Sequence, residues 1–170
     1  MNKFKNIKPE HIDQNVFKLI GKDWMLITAG NMESYNTMTA SWGQLGILWN
    51  LPVALCFIRP QRYTFEFTER SDYYTLTFFE EKYRKALNFC GTKSGRDYDK
   101  AKETGLIPLV TDLENISFHE ASLILECKKI YADNIKESKF IEEKLVGKNY
   151  PKKDFHRFYI GEVKEAWIKK

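Results

Sequence analysis

The stretch Asn36–Thr64, NTMTASWGQLGILWNLPVALCFIRPQRYT, constrains the fold more than any other part of the chain. At its centre Val53–Ile58 is an apolar run of strand length, held between Pro52 and Pro60. Proline fixes φ and cannot donate to a ladder, so the run reads as a central strand with Pro52 at its edge and Pro60 as its stop. One side of this strand carries small polar residues (Asn36, Thr37, Thr39, Ser41) and two tryptophans; the other carries Arg59 and Arg62. A core hairpin does not need those arginines, and a nucleic-acid patch does not need the apolar centre. A flat, largely apolar ligand with a phosphate tail needs both.

Further strands are expected at Trp24–Ala29, Met38–Gly43, Tyr73–Phe79 and Phe155–Val163, with one bent strand or two across Ile116–Ile130. Short helices are expected from Pro9, over Thr64–Glu69 with Thr64 as its cap, over Glu81–Phe89 with Gly91 as its stop, and over Asp97–Thr104 closed by Gly105. Tyr131–Tyr150 mixes helix and turn signals and is left unassigned. Strands with interspersed short helices and no βαβ rhythm suggest a mainly β fold, an antiparallel sheet closed into a barrel. With 170 residues and no linker or repeat, residues 1–170 are expected to form one domain.

Composition narrows the function classes. The 15% aromatic content argues for a β-rich core or a ring-binding cleft. The net charge of +4 is mild and scattered, which favours anionic ligands without marking a nucleic-acid surface. No apolar run reaches membrane-spanning length and the N-terminus lacks a signal-peptide pattern, so a cytoplasmic protein is expected. Cys56, Cys90 and Cys127 are widely spaced, and the first and last lie in apolar runs as core residues. His11, His119 and His156 show no metal-ligand spacing, so no metal is expected.

Dinucleotide, P-loop, zincin and hydrolase signatures are all absent from the sequence. The turn Arg59-Pro-Gln-Arg-Tyr-Thr holds its arginines on a short rigid arc, and arginine's planar fork suits a phosphate. Taken alone, the hexapeptide fits a solvated surface turn equally well. Alternating small residues in Asn36–Trp42 leave backbone amides open to a heteroaromatic edge, while Trp49 reads as a core or interface residue. Ser94, Gly95 and Arg96, between two helices, can meet a phosphate from the other side. Cys90 reads as a structural cysteine and His156, before a strand, as a structural histidine.

Together NTMTASWG, PVALCFIRPQRYT, CGTKSGRDYDK and FHRFYIGEV resemble, in that order, the flavin reductase-like, flavoredoxin-type FMN-binding proteins. The resemblance runs from about Trp24 to Val163. It implies a Greek-key split β-barrel, a homodimer, and FMN held without a covalent bond near the dimer interface. It further implies that Asn36, Met38, Thr39, Ala40, Ser41 and Trp42 line the flavin ring, largely through backbone groups. Arg59, Arg62, Tyr63 and Thr64 match the basic turn, with Arg62 and Thr64 the best phosphate ligands. Cys90, Gly91, Ser94, Gly95 and Arg96 match the segment closing over the cofactor, Lys100 can approach it, and His156, the one candidate catalytic residue, matches a late histidine near the flavin. The implied activity is an NAD(P)H-dependent flavin reductase or flavoredoxin-like oxidoreductase, with NAD(P)H or a redox protein as electron donor. Rival readings are an FMN electron carrier with little NAD(P)H activity of its own, and a basic β-barrel that binds nucleic acid.

Overall fold

Aromatic and β-branched runs form most of the strands, and eight of them join one sheet around a filled interior. The computed structural model describes residues 1–170. β1 (Phe4–Ile7) is followed by a 3-10 turn at Pro9–His11 and by α1 (Val16–Lys18), whose helical path runs on to Asp23. Then come β2 (Met25–Gly30), β3 (Tyr35–Ala40), β4 (Gly43–Leu48) and β5 (Leu51–Ile58). α2 (Tyr63–Arg70), β6 (Tyr73–Phe78), α3 (Arg84–Thr92) and α4 (Lys100–Thr104) make the middle of the chain. β7 (Pro108–Val110), β8 (Ile116–Phe118), β9 (Leu123–Asn134), α5 (Lys144–Asn149) and β10 (Arg157–Lys169) complete it.

Antiparallel pairing runs β3–β2–β6–β9–β10–β5–β4, with β1 also on β10, while β7 and β8 form a separate hairpin. β3 and β4 are the two ends of this path, yet Ser41 and Trp42 alone separate them in sequence. Three Cα–Cα steps reach at most about 11 Å, so the sheet must roll until its ends nearly meet. The result is a mainly β split barrel. The closed barrel suggested by the strand pattern stays open at this seam, because no ladder joins β3 to β4. Met25, Ile27, Cys56, Leu76, Phe78 and Leu125 fill the interior. A second cluster, including Leu26, Phe79, Leu87 and Cys90, fastens α3 to the outer face of β2.

Local chemistry explains where the elements depart from expectation. β3 covers Tyr35–Ala40, not Met38–Gly43, because Gly43 already opens β4. Asn50 does not break the chain: Trp49 (φ 52°) and Asn50 (φ 59°) form the two left-handed residues of a tight β4–β5 hairpin turn. Pro52 stands beyond the last β10 pairing, Val53–Glu162, so no ladder bond loses its donor there. Trp49 is 60% exposed on the turn, outside the core, with its ring 6.4 Å from that of Tyr131. Arg62, not Thr64, is the N-cap of α2, and α3 runs through Gly91 to Thr92. α4 is shorter than the expected helix; Asp99 caps it and Gly105, at φ 70°, closes it. The unassigned stretch supplies the end of β9, a 3-10 turn at Glu137–Lys139 and α5.

Gly161 lies at a register shift in β10, where a Cβ would stand 2.6 Å from the Tyr74 hydroxyl and 2.7 Å from Cys127 Cβ. That hydroxyl donates to the Ala54 carbonyl at 2.7 Å inside the barrel. Gly161→Ala is therefore expected to cost about 2 kcal/mol by overpacking, seen as a fall in Tm of roughly 4–8 °C on thermal unfolding.

Candidate functional site

One side of β3 has no strand partner, and four segments converge on it. From α2, the Thr64 hydroxyl accepts from Asn36 Nδ2 at 2.7 Å, leaving its own proton to give. From α3, the Leu87 carbonyl accepts from the Thr39 hydroxyl. Gly95 lies against Asn36 so closely that a Cβ would stand 1.9 Å from its Oδ1, which is why a glycine is needed there. The ammonium of Lys100, at the start of α4, donates to the carbonyls of Thr37 (2.8 Å) and Cys90 (3.0 Å). Asn36, Tyr63, Gly95, Tyr98 and Lys100 line a cavity of about 310 Å³.

Glu33 and Asp99 also line this cavity, yet Lys100, and Arg62 nearby, form no ion pair. Arg62 Nη1 donates to the Gly91 carbonyl at 2.8 Å, while its Nη2 is buried and has no partner. Lys100 is 6% exposed and meets carbonyls alone, so one of its three N–H groups remains free. Burial holds Arg62 below the ordinary arginine range. Burial, with the charge of Arg62, brings Lys100 down to about 8. Desolvated, unpaired cations side by side are costly, and an anion between them would relieve that cost. A phosphate fits this donor set.

The other basic residues are placed differently. Arg59 forms an ion pair with Asp154, donates to the Asn149 carbonyl at 2.8 Å and lies over the Tyr150 ring. Gln61 donates to the same Asp154 at 2.6 Å, so the first arginine of the turn ties β5 to the segment after α5. Arg96 is ion-paired with Glu66 and stacked over Tyr63, and its backbone N–H donates to the Ser94 hydroxyl. The side chains of Met38 and Ala40 belong to the barrel core, which leaves their backbone as the part able to meet a ligand. The Cys90 thiol is fully buried and pushed up to about 11 by burial, a packing residue with no activating base.

At the other end of β3 the seam residue Trp42 meets the late histidine. Trp42 is 44% exposed and its ring lies 5.1 Å from that of His156, which also meets Phe57 edge-on at 6.5 Å. His156 Nδ1 is 2.9 Å from the Tyr150 hydroxyl. Burial, aided by the charge of Arg59, lowers His156 to about 4, so the imidazole is neutral at pH 7. Ser41, Trp42 and Phe57, together with Phe17 and Leu45, line an apolar cavity of about 850 Å³. Asn36 and Ser41 are five strand steps apart, about 17 Å. One strand edge thus carries an anion site at one end and an aromatic site at the other.

Phe57, Tyr150 and the α1 residue Phe17 were not singled out from the sequence. Nothing in their local context marks them, because their part in the site arises from contacts between distant segments.

A family model described as the flavin reductase like domain matches residues 18–170. No curated protein gives a significant match. Among solved structures, the chain is similar to an FMN-binding domain of a flavin reductases-like enzyme from Shewanella baltica, with a TM-score of 0.70 and 18% identity over 98% of this chain and 77% of that one. Flavoredoxin of Desulfovibrio vulgaris gives a TM-score of 0.68 at 17% identity, over 96% of this chain and 78% of that one. A Streptomyces globisporus NADH:FAD oxidoreductase, solved in complex with NAD and FAD fragments, gives 0.63 at 15% identity, over 85% and 73%.

Proposed function

The chain belongs to the flavin reductase-like domain family, and on that premise we propose that it is an FMN-binding oxidoreductase, a flavin reductase or flavoredoxin-like protein taking electrons from NAD(P)H. The observation that carries the reading is the pair of cations without an ion pair, Arg62 and Lys100, at one end of an open strand edge whose other end holds Trp42 and His156. Arg62 and Lys100 hold the phosphate, with the Thr64 hydroxyl and the Ser94–Arg96 turn beside it. Backbone groups of Asn36–Trp42 orient the ring, and Trp42 with Phe57 keeps water from one side of it. FMN, when bound, supplies the electron transfer. The reading asks for no general acid or base from the chain; His156 is neutral at pH 7 and the Cys90 thiol is sealed.

A homodimer is part of the proposal. Phe17 (89% exposed), Ile47 (68%) and Trp42 stand at or beside the open apolar cavity at the seam, more exposed apolar surface than a solvated face needs. A partner subunit covering it would wall the ring site. The whole chain then acts as one domain. Its three buried free cysteines suit a reducing cytoplasm, and no helix is long and apolar enough to cross a membrane.

Purified protein should carry flavin absorbance bands, and the chromophore released by heat should run as FMN. Stopped-flow mixing with NADH or NADPH should bleach those bands. Bound FMN that neither nucleotide bleaches would favour an electron carrier instead. Protein that stays colourless after incubation with FMN would defeat the cofactor assignment.

A further inference from the structure

His156 is held from one side only. Its Nδ1 faces the Tyr150 hydroxyl, whereas Nε2 makes no hydrogen bond within the chain and is not sealed from solvent. The charged groups around the ring are Arg59 and Asp154, which are paired with each other; Trp42 and Phe57 contribute none. Tyr150 is itself 5% exposed and packed against Phe155, Phe140 and the Arg59 guanidinium.

Two arrangements could satisfy the Tyr150–His156 contact. If Nδ1–H donated to the phenol oxygen, the phenol proton would need a second acceptor, and the structure gives Tyr150 no other hydrogen bond. A buried hydroxyl proton without an acceptor is costly. If the phenol donates to Nδ1, its proton is satisfied and the imidazole proton moves to Nε2, the ring nitrogen that has no partner within the chain.

We propose that Tyr150 is a positioning residue: its hydroxyl donates to His156 Nδ1 and fixes the imidazole with its proton on Nε2, so that His156 offers a neutral hydrogen-bond donor to a carbonyl-bearing ring ligand beside Trp42. The tautomer part stands on the geometry of the chain alone. The ligand part rests on the flavin reading. Arg59 supports both, since its pairing with Asp154 anchors the segment carrying Tyr150 to the end of β5.

Long-range 1H–15N NMR of the histidine rings in the flavin-free protein at pH 7 tests the tautomer. His156 should show a bare Nδ1 and a protonated Nε2. Tyr150→Phe should lower the ratio of Nε2–H to Nδ1–H tautomer about fivefold, the worth of one ordinary hydrogen bond. A protonated Nδ1 in the wild type, or a ratio unmoved by Tyr150→Phe, would overturn the proposal. Should the variant not fold, the wild-type spectrum decides. Adding FMN to the wild type should then shift the Nε2–H resonance. Unchanged ring resonances with FMN bound would overturn the ligand part, whereas failure to bind FMN at all would be read by absorbance and counts against the cofactor assignment.

Discussion

Arg62→Ala is expected to weaken FMN binding roughly 10- to 100-fold, while Arg59→Ala leaves it within a fewfold of wild type. The two arginines sit three residues apart in one turn, and the contrast comes from their partners. Arg59 is committed to Asp154 and the Asn149 carbonyl. Arg62 meets one carbonyl and keeps a buried Nη2 without a partner. Hydrogen bonds to charged groups contribute about 1.5–3 kcal/mol, and Arg62 has such a bond to give. Its removal leaves the Gly91 carbonyl without that donor but also takes away a desolvated, under-partnered charge, so the apo protein should lose little stability. Arg59→Ala should do the opposite, lowering Tm by loosening the 149–154 segment. Titration of apo protein with FMN, followed by fluorescence quenching, reads the first effect, and thermal unfolding the second. Equal losses of FMN in both variants would refute the phosphate assignment.

Lys100→Met should separate binding from folding. The methionine stem fills most of the lysine's space and removes a desolvated charge, but it leaves the carbonyls of Thr37 and Cys90 without their donor. These effects oppose each other at about 1 kcal/mol per lost hydrogen bond, so the apo Tm should move by a few degrees at most. FMN affinity should fall about 10-fold or more. Protonation adds a second mark. The unfolded chain holds its Lys100 proton up to the ordinary 10.5, and the folded chain releases it near 8. The folded apo protein thus binds fewer protons between those values, and its stability rises with pH through that window. Affinity for a phosphate moves the other way, since only the charged ammonium attracts it. Wild-type FMN affinity should decline above about pH 8, and the decline should be absent in Lys100→Met. A pH profile identical in both proteins would place Lys100 outside the anion site.

Much of the architecture is local and therefore readable. Val53–Ile58 and Tyr73–Phe78 are strands because their residues suit a pleated, buried surface, and Gly105 ends α4 because it takes φ 70° at no steric cost. The β4–β5 hairpin was harder to see. Its turn is Trp49-Asn50 and not a glycine pair, so the sequence shows a break where the backbone makes a tight reversal. The length of β10, which runs to Lys169, was underestimated because its second half earns its place by pairing with β1 and β9.

By itself the sequence determined the kinds of group available: an apolar strand between small polar residues and a basic turn, thiols in apolar runs, and a family likeness across most of the chain. These follow from composition and short-range pattern, which survive without knowledge of the fold. Tertiary structure decided which of those groups face one another. Sheet register sends alternate residues to opposite faces, so Asn36, Met38 and Ala40 share one face of β3 while Thr37 and Thr39 take the other. Packing then separates that face into two parts: Met38 and Ala40 enter the barrel core, Asn36 meets Thr64 and Gly95, and the fold brings Lys100 to the carbonyl of Thr37. It also gave Arg59 to Asp154 and left Arg62 free. Two arginines alike in sequence differ because an ion pair needs a partner within a few ångströms, and that partner lies far along the chain.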